Sequence, residues 1–385
     1  MSRKKILVVD VAAQHSGGAA ILKEFFQYVC QCGQNYEWLF LVSLVQLDMP
    51  EKCADFVKVE YHTEMKKNLL CRIRWELKDL RKVIPDFSPD VVLSLQNLVV
   101  NIKDVPQIVY MHQSLPFQDI KKFSFLKPDE RVSAFQQYFM GYLIKQSIKK
   151  ADGVIVQTPW VKDAVVEKTA VSQEKILVSS PSLHIPDISK NKQLYKEVYE
   201  CEKTVLFYPA LPLPYKNHMK LLQAQKRLKE QGIDTRIVLT VDKEEIQGRK
   251  IYQYARDNAL DVVLLGYLKK EELLEIISHT ILIFPSYIET VGLPLLEAQI
   301  FDAVILVSNC PYAKDVCQTY EKTIYFNCFD EESITEGIKR GIELDKKSKR
   351  KLEYEIPEIY KPEVTWKKVV NYIEKISCGQ PEEKK

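Results

Sequence analysis

Glycine is scarce in this sequence, with 12 among 385 residues, and it never occurs in the spacings that bind dinucleotides or nucleoside triphosphates. The sequence contains neither G-x-G-x-x-G nor G-x-x-x-x-G-K-[ST], which argues against a dinucleotide-dependent oxidoreductase and against a P-loop protein. G-x-S-x-G is also absent, and with it the usual sign of a serine hydrolase.

Motifs that bind metals are missing as well. No H-E-x-x-H occurs, the six histidines are isolated from one another, and no two aspartates stand two residues apart. The first two observations argue against a protein-built zinc site, and the third removes the D-x-D pair that binds a divalent cation. We therefore expect neither a metal ion nor a cofactor.

The nine cysteines form no C-x-x-C pair, which favours free thiols in a reducing compartment over a disulfide framework. No run approaches the roughly 18–20 apolar residues of a membrane span. The basic and then apolar start MSRKKILVVDVAAQ resembles a signal peptide, but its apolar run ends at Asp10. We interpret it as a buried first strand and expect a cytoplasmic protein.

Charge is nearly balanced, with 55 basic and 52 acidic residues, which argues against a nucleic-acid-binding protein. Two segments are nevertheless basic: residues 64–84 hold 7 basic and 3 acidic residues, and residues 121–150 hold 7 and 2. They indicate either an anionic membrane surface as a partner or ordinary solvated helix faces.

Short apolar runs alternate with helical stretches along nearly the whole chain. The runs predict strands at residues 5–11, 38–45, 56–61, 91–95, 107–112, 153–157 and 176–179, and then at 204–208, 236–241, 262–266, 280–285, 303–308 and 323–326. Helices are predicted at residues 18–31, 65–84, 131–150 and 159–169, and then at 217–231, 246–258, 270–279, 294–301 and 333–343. The runs are continuously apolar, as in parallel sheets covered by helices on both faces. Residues 185–203 are charged and lack a core pattern, so we place a domain boundary there. The sequence thus predicts an α/β protein with two doubly wound, Rossmann-like domains and a cleft between them.

The most informative segment, residues 281–315, places a loop between an apolar strand and a helix. Pro294 suits the first helical position, and Gly292 just before it lets an anion approach the backbone amides and the positive end of the helix dipole. Glu289 in the loop and Glu297 in the helix would repel a diphosphate but accept hydrogen bonds from hydroxyl groups. A nucleotide sugar satisfies both requirements, and an ordinary strand–loop–helix connection is the alternative.

Other candidates follow the ends of predicted strands. Lys216 lies in the loop PALPLPYKN at the start of a helix, where it suits a phosphate partner or is a solvated lysine. Gly17 and Gly18 open the first helix and form either another anion site or a plain turn. His112 ends the strand in IVYMHQSLPF, where it serves a substrate hydroxyl or has a structural role.

With these residues assembled, the chain resembles glycosyltransferase family 4, whose members are retaining nucleotide-sugar transferases of the GT-B fold. The run PSYIETVGLPLLEAQ carries the family's E-x7-E signature at Glu289 and Glu297. The runs around Lys216, at residues 265–277 and at residues 154–165 reinforce it. The resemblance covers essentially the whole chain, is stronger in the C-terminal half, and points to bacterial members that build capsular or surface polysaccharides.

The resemblance implies roles in the donor site. Glu297 would bind the ribose, Glu289 would contact the donor sugar near its anomeric carbon, and Lys216 would hold the diphosphate. The donor-binding loop also contains Thr290, Val291, Gly292 and Leu293. Glu289, Lys216 and His112 are the catalytic candidates.

The resemblance also implies a domain plan. Residues 1–190 would form the acceptor-side domain, in which Gly17 and Gly18 approach the diphosphate and His112 lies near the transferred sugar. Residues 200–360 would bind the nucleotide sugar. Residues 361–385, with Trp366, would form a C-terminal helix that packs back on the first domain, followed by a charged tail.

The chain departs from the family pattern near the diphosphate. Many members have Gly-Arg ahead of the lysine, where this chain has Ala210 and Leu211, so the second cation is unidentified. Asp315 replaces a usual glutamate, and Thr290-Val291 replaces Gly-Phe within the signature.

The expected function is metal-independent transfer of a sugar, with retention, from a nucleotide-diphosphate sugar to a hydroxyl acceptor that is a glycan or lipid-linked. The protein would be cytoplasmic, with a peripheral position on the inner face of the cell membrane as an option. A non-catalytic GT-B scaffold of a polysaccharide complex and a GT-B nucleotide-sugar epimerase remain as alternatives.

Overall fold

The computed structural model describes residues 3–13, 16–66, 71, 74–75, 80–186, 195–348 and 355–379. The chain divides into two compact units. The first unit consists of Met1–Asp119, Arg131–Ser182 and Glu358–Lys385, and the second consists of Ile120–Glu130 and Leu183–Pro357.

The first unit is built on a seven-stranded sheet in which every neighbouring pair is parallel. Its strands are β1 (Lys4–Asp10), β2 (Tyr36–Val42), β3 (Val57–Tyr61), β4 (Val91–Ser94), β5 (Gln107–Met111), β6 (Gly153–Val156) and β7 (Ile176–Val178). Their order across the sheet is β3-β2-β1-β4-β5-β6-β7. Its helices are Ser16–Cys32, Leu80–Phe87, Arg131–Phe135, the wider π-helical turn Gln136–Met140, Gly141–Lys150, Pro159–Thr169 and Pro362–Ser377.

The second unit repeats this plan with a six-stranded parallel sheet in the order β10-β9-β8-β11-β12-β13. Its strands are β8 (Thr204–Tyr208), β9 (Thr235–Leu239), β10 (Val262–Leu264), β11 (Ile281–Phe284), β12 (Ile305–Ser308) and β13 (Thr323–Phe326). Its helices are Lys196–Tyr199, His218–Glu230, Ile246–Asp257, Lys270–His279, Leu293–Ile300, Pro311–Cys317 and Glu331–Lys347.

The predicted fold class, two doubly wound α/β domains, is confirmed. In both sheets the strand order reverses direction beside the first strand of the unit, between β1 and β4 and between β8 and β11. Loops that leave neighbouring strands at such a point diverge to opposite faces of the sheet, and the crevice between them is where ligands of this architecture bind. The loops after β1, β4, β8 and β11 are therefore the places to look for chemistry.

The C-terminal helix Pro362–Ser377 completes the core of the first unit. Trp366 lies 5.0 Å from the ring of Phe25 and 6.0 Å from that of Tyr110, and Val369 and Ile373 are fully buried beside them. The helix covers one face of the first sheet together with helix Ser16–Cys32.

Loss of one hydrogen bond from this helix should lower stability measurably. The Tyr372 hydroxyl donates to the Lys175 carbonyl at 2.7 Å, across 197 residues of sequence. We expect Tyr372→Phe to lower the free energy of unfolding by about 1 kcal/mol, because the partly buried carbonyl loses its partner. Urea unfolding of the two proteins measures the difference. A change below about 0.3 kcal/mol would mean that water replaces the hydroxyl at no cost.

Several details differ from the sequence predictions. Helix Leu293–Ile300 begins one residue before Pro294, and Gly17 and Gly18 lie inside the first turn of helix Ser16–Cys32 rather than ahead of it. The helix predicted across residues 131–150 contains the π-helical turn, and helices Lys196–Tyr199 and Pro311–Cys317 had no predicted counterpart. Ile120–Glu130 and Leu183 onwards group with the second unit, although the predicted boundaries put residues 1–190 together.

The predicted helix at residues 65–84 and the boundary at residues 185–203 lie partly outside the described residues. Within the part of the chain that the structure describes, no helix has both the length and the hydropathy to cross a bilayer.

Candidate functional site

Two loops meet at the switch point of the second sheet. One follows β8 and runs over residues 209–217, and the other follows β11 and runs to Gly292. They are tied together by the Tyr287 amide, which donates to the Tyr215 carbonyl at 3.1 Å, and by the Ser286 hydroxyl, which donates to the same carbonyl at 3.3 Å. The Tyr208 hydroxyl donates to the Lys216 carbonyl at 2.8 Å. Because strand ends and loops share these bonds, the loop side chains are held in defined positions.

The structure brings together two of the predicted residues, Lys216 and Glu289. Lys216 Nζ donates to Glu289 Oε1, and the two side chains are only 15% and 14% exposed. The ammonium group lies 5.6 Å from the ring centroid of Tyr215 and 5.9 Å from that of Phe284. The rings shield the pair from water, so its charges are less screened than those of a surface ion pair.

Gly292 precedes helix Leu293–Ile300 with a φ of 78°, in the left-handed region that glycine adopts without strain. A side chain there would also crowd Leu295, since an added Cβ would lie 3.2 Å from its Cδ1. The loop residues Thr290 and Val291 lead into this position, and Leu293 is the first helical residue. At this helix start Pro294 has no N–H and the Leu295 amide donates to the Gly292 carbonyl at 2.8 Å, so the Gly292 and Leu293 amides are the ones placed to meet an anion.

Glu297 lies in the second turn of the same helix and is almost fully buried, with a side chain 3% exposed. Its partner is Lys270, the first residue of helix Lys270–His279, whose Nζ donates to Glu297 Oε1. Each signature glutamate is therefore paired with one lysine. Sequence reasoning missed Lys270: the residue stands in the conspicuous run LGYLKKEELLEII, but its partner is 27 residues away.

Neutral tyrosines surround the loops. Burial raises the pKa of the Tyr208, Tyr215, Tyr287 and Tyr312 hydroxyls, and the negative charge of Glu289 adds to the rise for all of these except Tyr287. The Tyr312 hydroxyl donates to the Ser286 carbonyl at 2.7 Å. These hydroxyls stay protonated across the physiological pH range, so those of Tyr208, Tyr287 and Tyr312 keep donating to loop carbonyls.

A cavity of about 320 Å³ lies at the carboxyl ends of the strands in the second unit. Its walls are largely apolar, with Thr240, Asp242 and Glu245 as polar groups. The other lining residues are Pro209, Ala210, Leu211, Pro212, Tyr267, Leu268 and Leu273. Apolar walls with a few polar groups suit a flat heterocycle that has hydrogen-bonding edges.

In the first unit, the structure brings Gly18 close to His112. A Cβ added to Gly18 would lie 3.5 Å from His112 Nε2. Asn97, which the sequence analysis did not single out, holds the histidine: the His112 backbone amide donates to Asn97 Oδ1 at 2.8 Å, and Asn97 Nδ2 lies 3.0 Å from His112 Nε2. The backbone bond fixes which end of the amide is oxygen, so Nδ2 donates to Nε2 and the imidazole proton resides on Nδ1. Gly17 is exposed on the same turn.

Two histidines, the buried His218 and the half-buried His112, should make stability depend on pH. Burial lowers the pKa of His112 to about 4 and that of His218 to about 3, both below the ordinary value of 6.5. Below pH 6.5 the unfolded chain binds protons that the folded chain does not, so the free energy of unfolding falls as the pH falls towards 4. We expect a loss of about 1–2 kcal/mol per histidine between pH 7 and pH 5.

The measurement is urea unfolding at the two pH values for the wild type and for His112→Asn. The variant should lose part of the pH dependence whatever its stability at pH 7. An identical pH dependence in the two proteins would show that His112 is protonated in the folded state.

Among the described residues, no group of three or more His, Cys, Asp or Glu side chains is arranged to hold a metal ion. None of the nine cysteines, all of which lie in the described part of the chain, forms a disulfide bond.

Residues 190–357 match the family model described as Glycosyl transferases group 1. The chain is also similar to the O-antigen chain mannosyltransferase RfbU of Salmonella typhimurium, with 26% identity over 231 residues. That match covers 59% of this chain and 60% of RfbU, so the chain spans about three fifths of the length of this relative.

The fold has close counterparts among solved structures. Sucrose-phosphate synthase of Thermosynechococcus elongatus matches with a TM-score of 0.67 and 13% identity, over 98% of this chain and 97% of that one. HepE of Anabaena, solved in complex with UDP and glucose, matches with a TM-score of 0.62 and 15% identity, over 98% of each chain. The fold is thus GT-B, and the family model and RfbU together support a glycosyltransferase.

Proposed function

We propose that this protein is a retaining glycosyltransferase of family 4 that transfers a sugar from a nucleotide-diphosphate sugar to a hydroxyl acceptor in surface polysaccharide biosynthesis. The observation that carries the proposal is the shielded pair of Lys216 and Glu289 at the switch point of a domain that matches the Glycosyl transferases group 1 model. The likeness to RfbU, an O-antigen chain mannosyltransferase, supports a glycan or lipid-linked acceptor. Metal independence rests on the sequence, which lacks a D-x-D motif.

The geometry of the second unit suggests how a donor would lie. The diphosphate would meet the amides at the start of helix Leu293–Ile300 and the ammonium of Lys216. Glu289 would accept hydrogen bonds from the donor sugar, and Glu297 from the ribose. The 320 Å³ cavity beside Leu211 and Leu268 would take the base.

Donor binding would replace two internal ion pairs. In the structure, Lys216 and Lys270 each donate to one signature glutamate. Ribose and sugar hydroxyls would take over those carboxylates, which frees both ammonium groups for the diphosphate. Lys270 would then supply the second cation, in place of the arginine that many family members have where this chain has Ala210 and Leu211.

The same groups would catalyse the transfer. When the bond to the sugar breaks, negative charge builds on the leaving diphosphate, and the lysines together with the helix amides would stabilise it. This is electrostatic catalysis, in which the enzyme contributes no nucleophile. His112, with its proton on Nδ1 and its pKa lowered to about 4, would be neutral and would orient a substrate hydroxyl rather than act as a cationic acid.

The test is thermal stabilisation by a panel of nucleotide sugars and nucleoside diphosphates, with EDTA present. Ligand at a hundred times its dissociation constant should stabilise the protein by about 2.7 kcal/mol. Glu297→Gln should weaken that stabilisation, and the control Glu321→Gln, an exposed glutamate of the same domain, should not.

A non-catalytic scaffold is the second candidate, favoured by the loss of the arginine ahead of Lys216. It predicts no thermal shift with any nucleotide. Stabilisation by a nucleotide sugar, followed by sugar transfer to a hydroxyl acceptor, would exclude it.

A further inference from the structure

A row of large apolar side chains lies exposed along the helix of residues 131–150 in the first unit. The exposed fractions are 70% for Val132, 46% for Phe135, 51% for Phe139 and 62% for Tyr142. Spacings of three, four and three residues place the row along one side of a helix. The other side is buried through Ala134, Gly141, Ile144 and Ile148. A helix face that is merely solvated would carry polar residues at these positions.

The helix that presents this row packs tightly against the rest of the first unit. Gly141 packs so closely on Pro116 that an added Cβ would lie 2.9 Å from the proline Cβ. The rings of Phe135 and Phe139 stack on each other at 5.0 Å with an interplanar angle of 24°. The row is therefore a fixed feature of the surface, and its two central rings form one unit.

Every charged side chain within residues 131–150 is basic. Residues 131–150 contain no aspartate or glutamate, while Arg131 stands at one end and Lys149 and Lys150 stand exposed at the other. Apolar and aromatic side chains flanked by cations, without an anion, are the composition of helices that lie in the interface of an anionic bilayer. A second copy of this chain would bring the same cations to the contact and be repelled, whereas anionic headgroups attract them.

We propose that the helix of residues 131–150 docks on an anionic lipid surface. Phe135 and Phe139 enter the headgroup region, and Arg131, Lys149 and Lys150 contact lipid phosphates. The proposal does not depend on the catalytic function, because none of these residues belongs to the candidate donor site. The other basic segment, residues 64–84, lies partly outside the described residues and carries no part of the argument.

Vesicle sedimentation of the full chain tests the apolar part. We expect binding to vesicles of about 70% phosphatidylcholine and 30% phosphatidylglycerol, and much weaker binding to phosphatidylcholine alone. Phe135→Ser/Phe139→Ser should lower the binding constant by about tenfold or more. The matched control is Ile246→Ser/Tyr252→Ser, which removes two exposed apolar side chains of similar exposure from helix Ile246–Asp257 and should leave binding unchanged.

A second pair of variants tests the charge. Lys149→Gln/Lys150→Gln should weaken binding about fivefold for each lysine lost. The control Lys346→Gln/Lys347→Gln, at the exposed end of another helix, should not weaken it. Thermal unfolding checks that all four variants are folded.

Equal binding with and without phosphatidylglycerol would overturn the proposal, as would unchanged binding of the Phe135/Phe139 variant. Self-association that this variant abolishes, without vesicle binding by the wild type, would assign the row to a second copy of the chain instead.

Discussion

Replacing Lys216 with methionine should lower kcat/KM for a nucleotide-sugar donor by about a thousandfold. The ammonium lies between two rings and against Glu289, at the point where the leaving diphosphate would gain charge. A charge held in a shielded position stabilises a developing anion without reorganising, and removal of one such group costs about 10²–10³ in rate. Most of the loss should appear in kcat.

Two effects combine in this variant. The developing charge loses a cation, and Glu289 is left buried without its partner, next to the same diphosphate. Lys216→Met/Glu289→Gln should therefore be less impaired than the sum of the two single variants, since the double variant carries no unpaired carboxylate.

The chain offers a matched control for Lys216. Lys220, four residues further along, is ion-paired with Glu331 at 2.6 Å and is more exposed. Lys220→Met should keep kcat/KM within about twofold of the wild type, because a partly exposed ion pair contributes little. If Lys216→Met turned over the donor as fast as Lys220→Met, the proposed site would be wrong.

Replacing Lys270 with methionine should weaken nucleoside diphosphate binding by about tenfold to a hundredfold. If Lys270 moves from Glu297 to the diphosphate when the donor binds, the variant loses one charge-assisted contact, which is worth about 1.5–3 kcal/mol. Calorimetric titration with UDP, GDP and ADP measures the effect for whichever nucleotide binds the wild type.

The free nucleoside separates a phosphate contact from a positioning role. If Lys270 binds phosphate, the variant should bind the corresponding nucleoside at least as well as the wild type, since the ribose no longer competes with the ammonium for Glu297. If Lys270 only positions Glu297, nucleoside and nucleoside diphosphate should weaken equally. Lys269→Met, at the exposed neighbouring position, is the control and should change neither.

The architecture was predictable because its signal is local. All thirteen strands are present where the sequence predicts them, with ends shifted by at most three residues. A strand segment buried on both faces is apolar at successive positions, as in ILVV of β1, and that pattern needs no knowledge of its neighbours. The approach of Lys216 to Glu289 follows from the same topology, since β8 and β11 are adjacent.

The contacts that were not predicted join residues that are distant in the sequence and share no motif or periodic pattern. Lys270 meets Glu297 only because helix Lys270–His279 packs beside helix Leu293–Ile300. Asn97 lies in the loop after the neighbouring strand β4 and orients His112 from there. Its φ of 63° is left-handed, but the position holds no glycine that would have indicated such a turn from the sequence. The assignment of Ile120–Glu130 to the second unit depends on tertiary packing, such as Lys121 Nζ 6.0 Å from the ring of Tyr287 and the ring of Phe123 6.5 Å from that of Tyr215.

The pairing of each signature glutamate with its own lysine has a consequence for ligand selection. In the proposed site, an inorganic anion could draw Lys216 or Lys270 away only by leaving Glu289 or Glu297 without its partner. Sugar hydroxyls alone would bind a glutamate and leave the lysine of that pair without its partner. A ligand that brings phosphates and sugar hydroxyls together satisfies all four groups in one step. If the proposed donor site is correct, it would discriminate against inorganic phosphate and free sugars and favour molecules in which phosphate and sugar are joined.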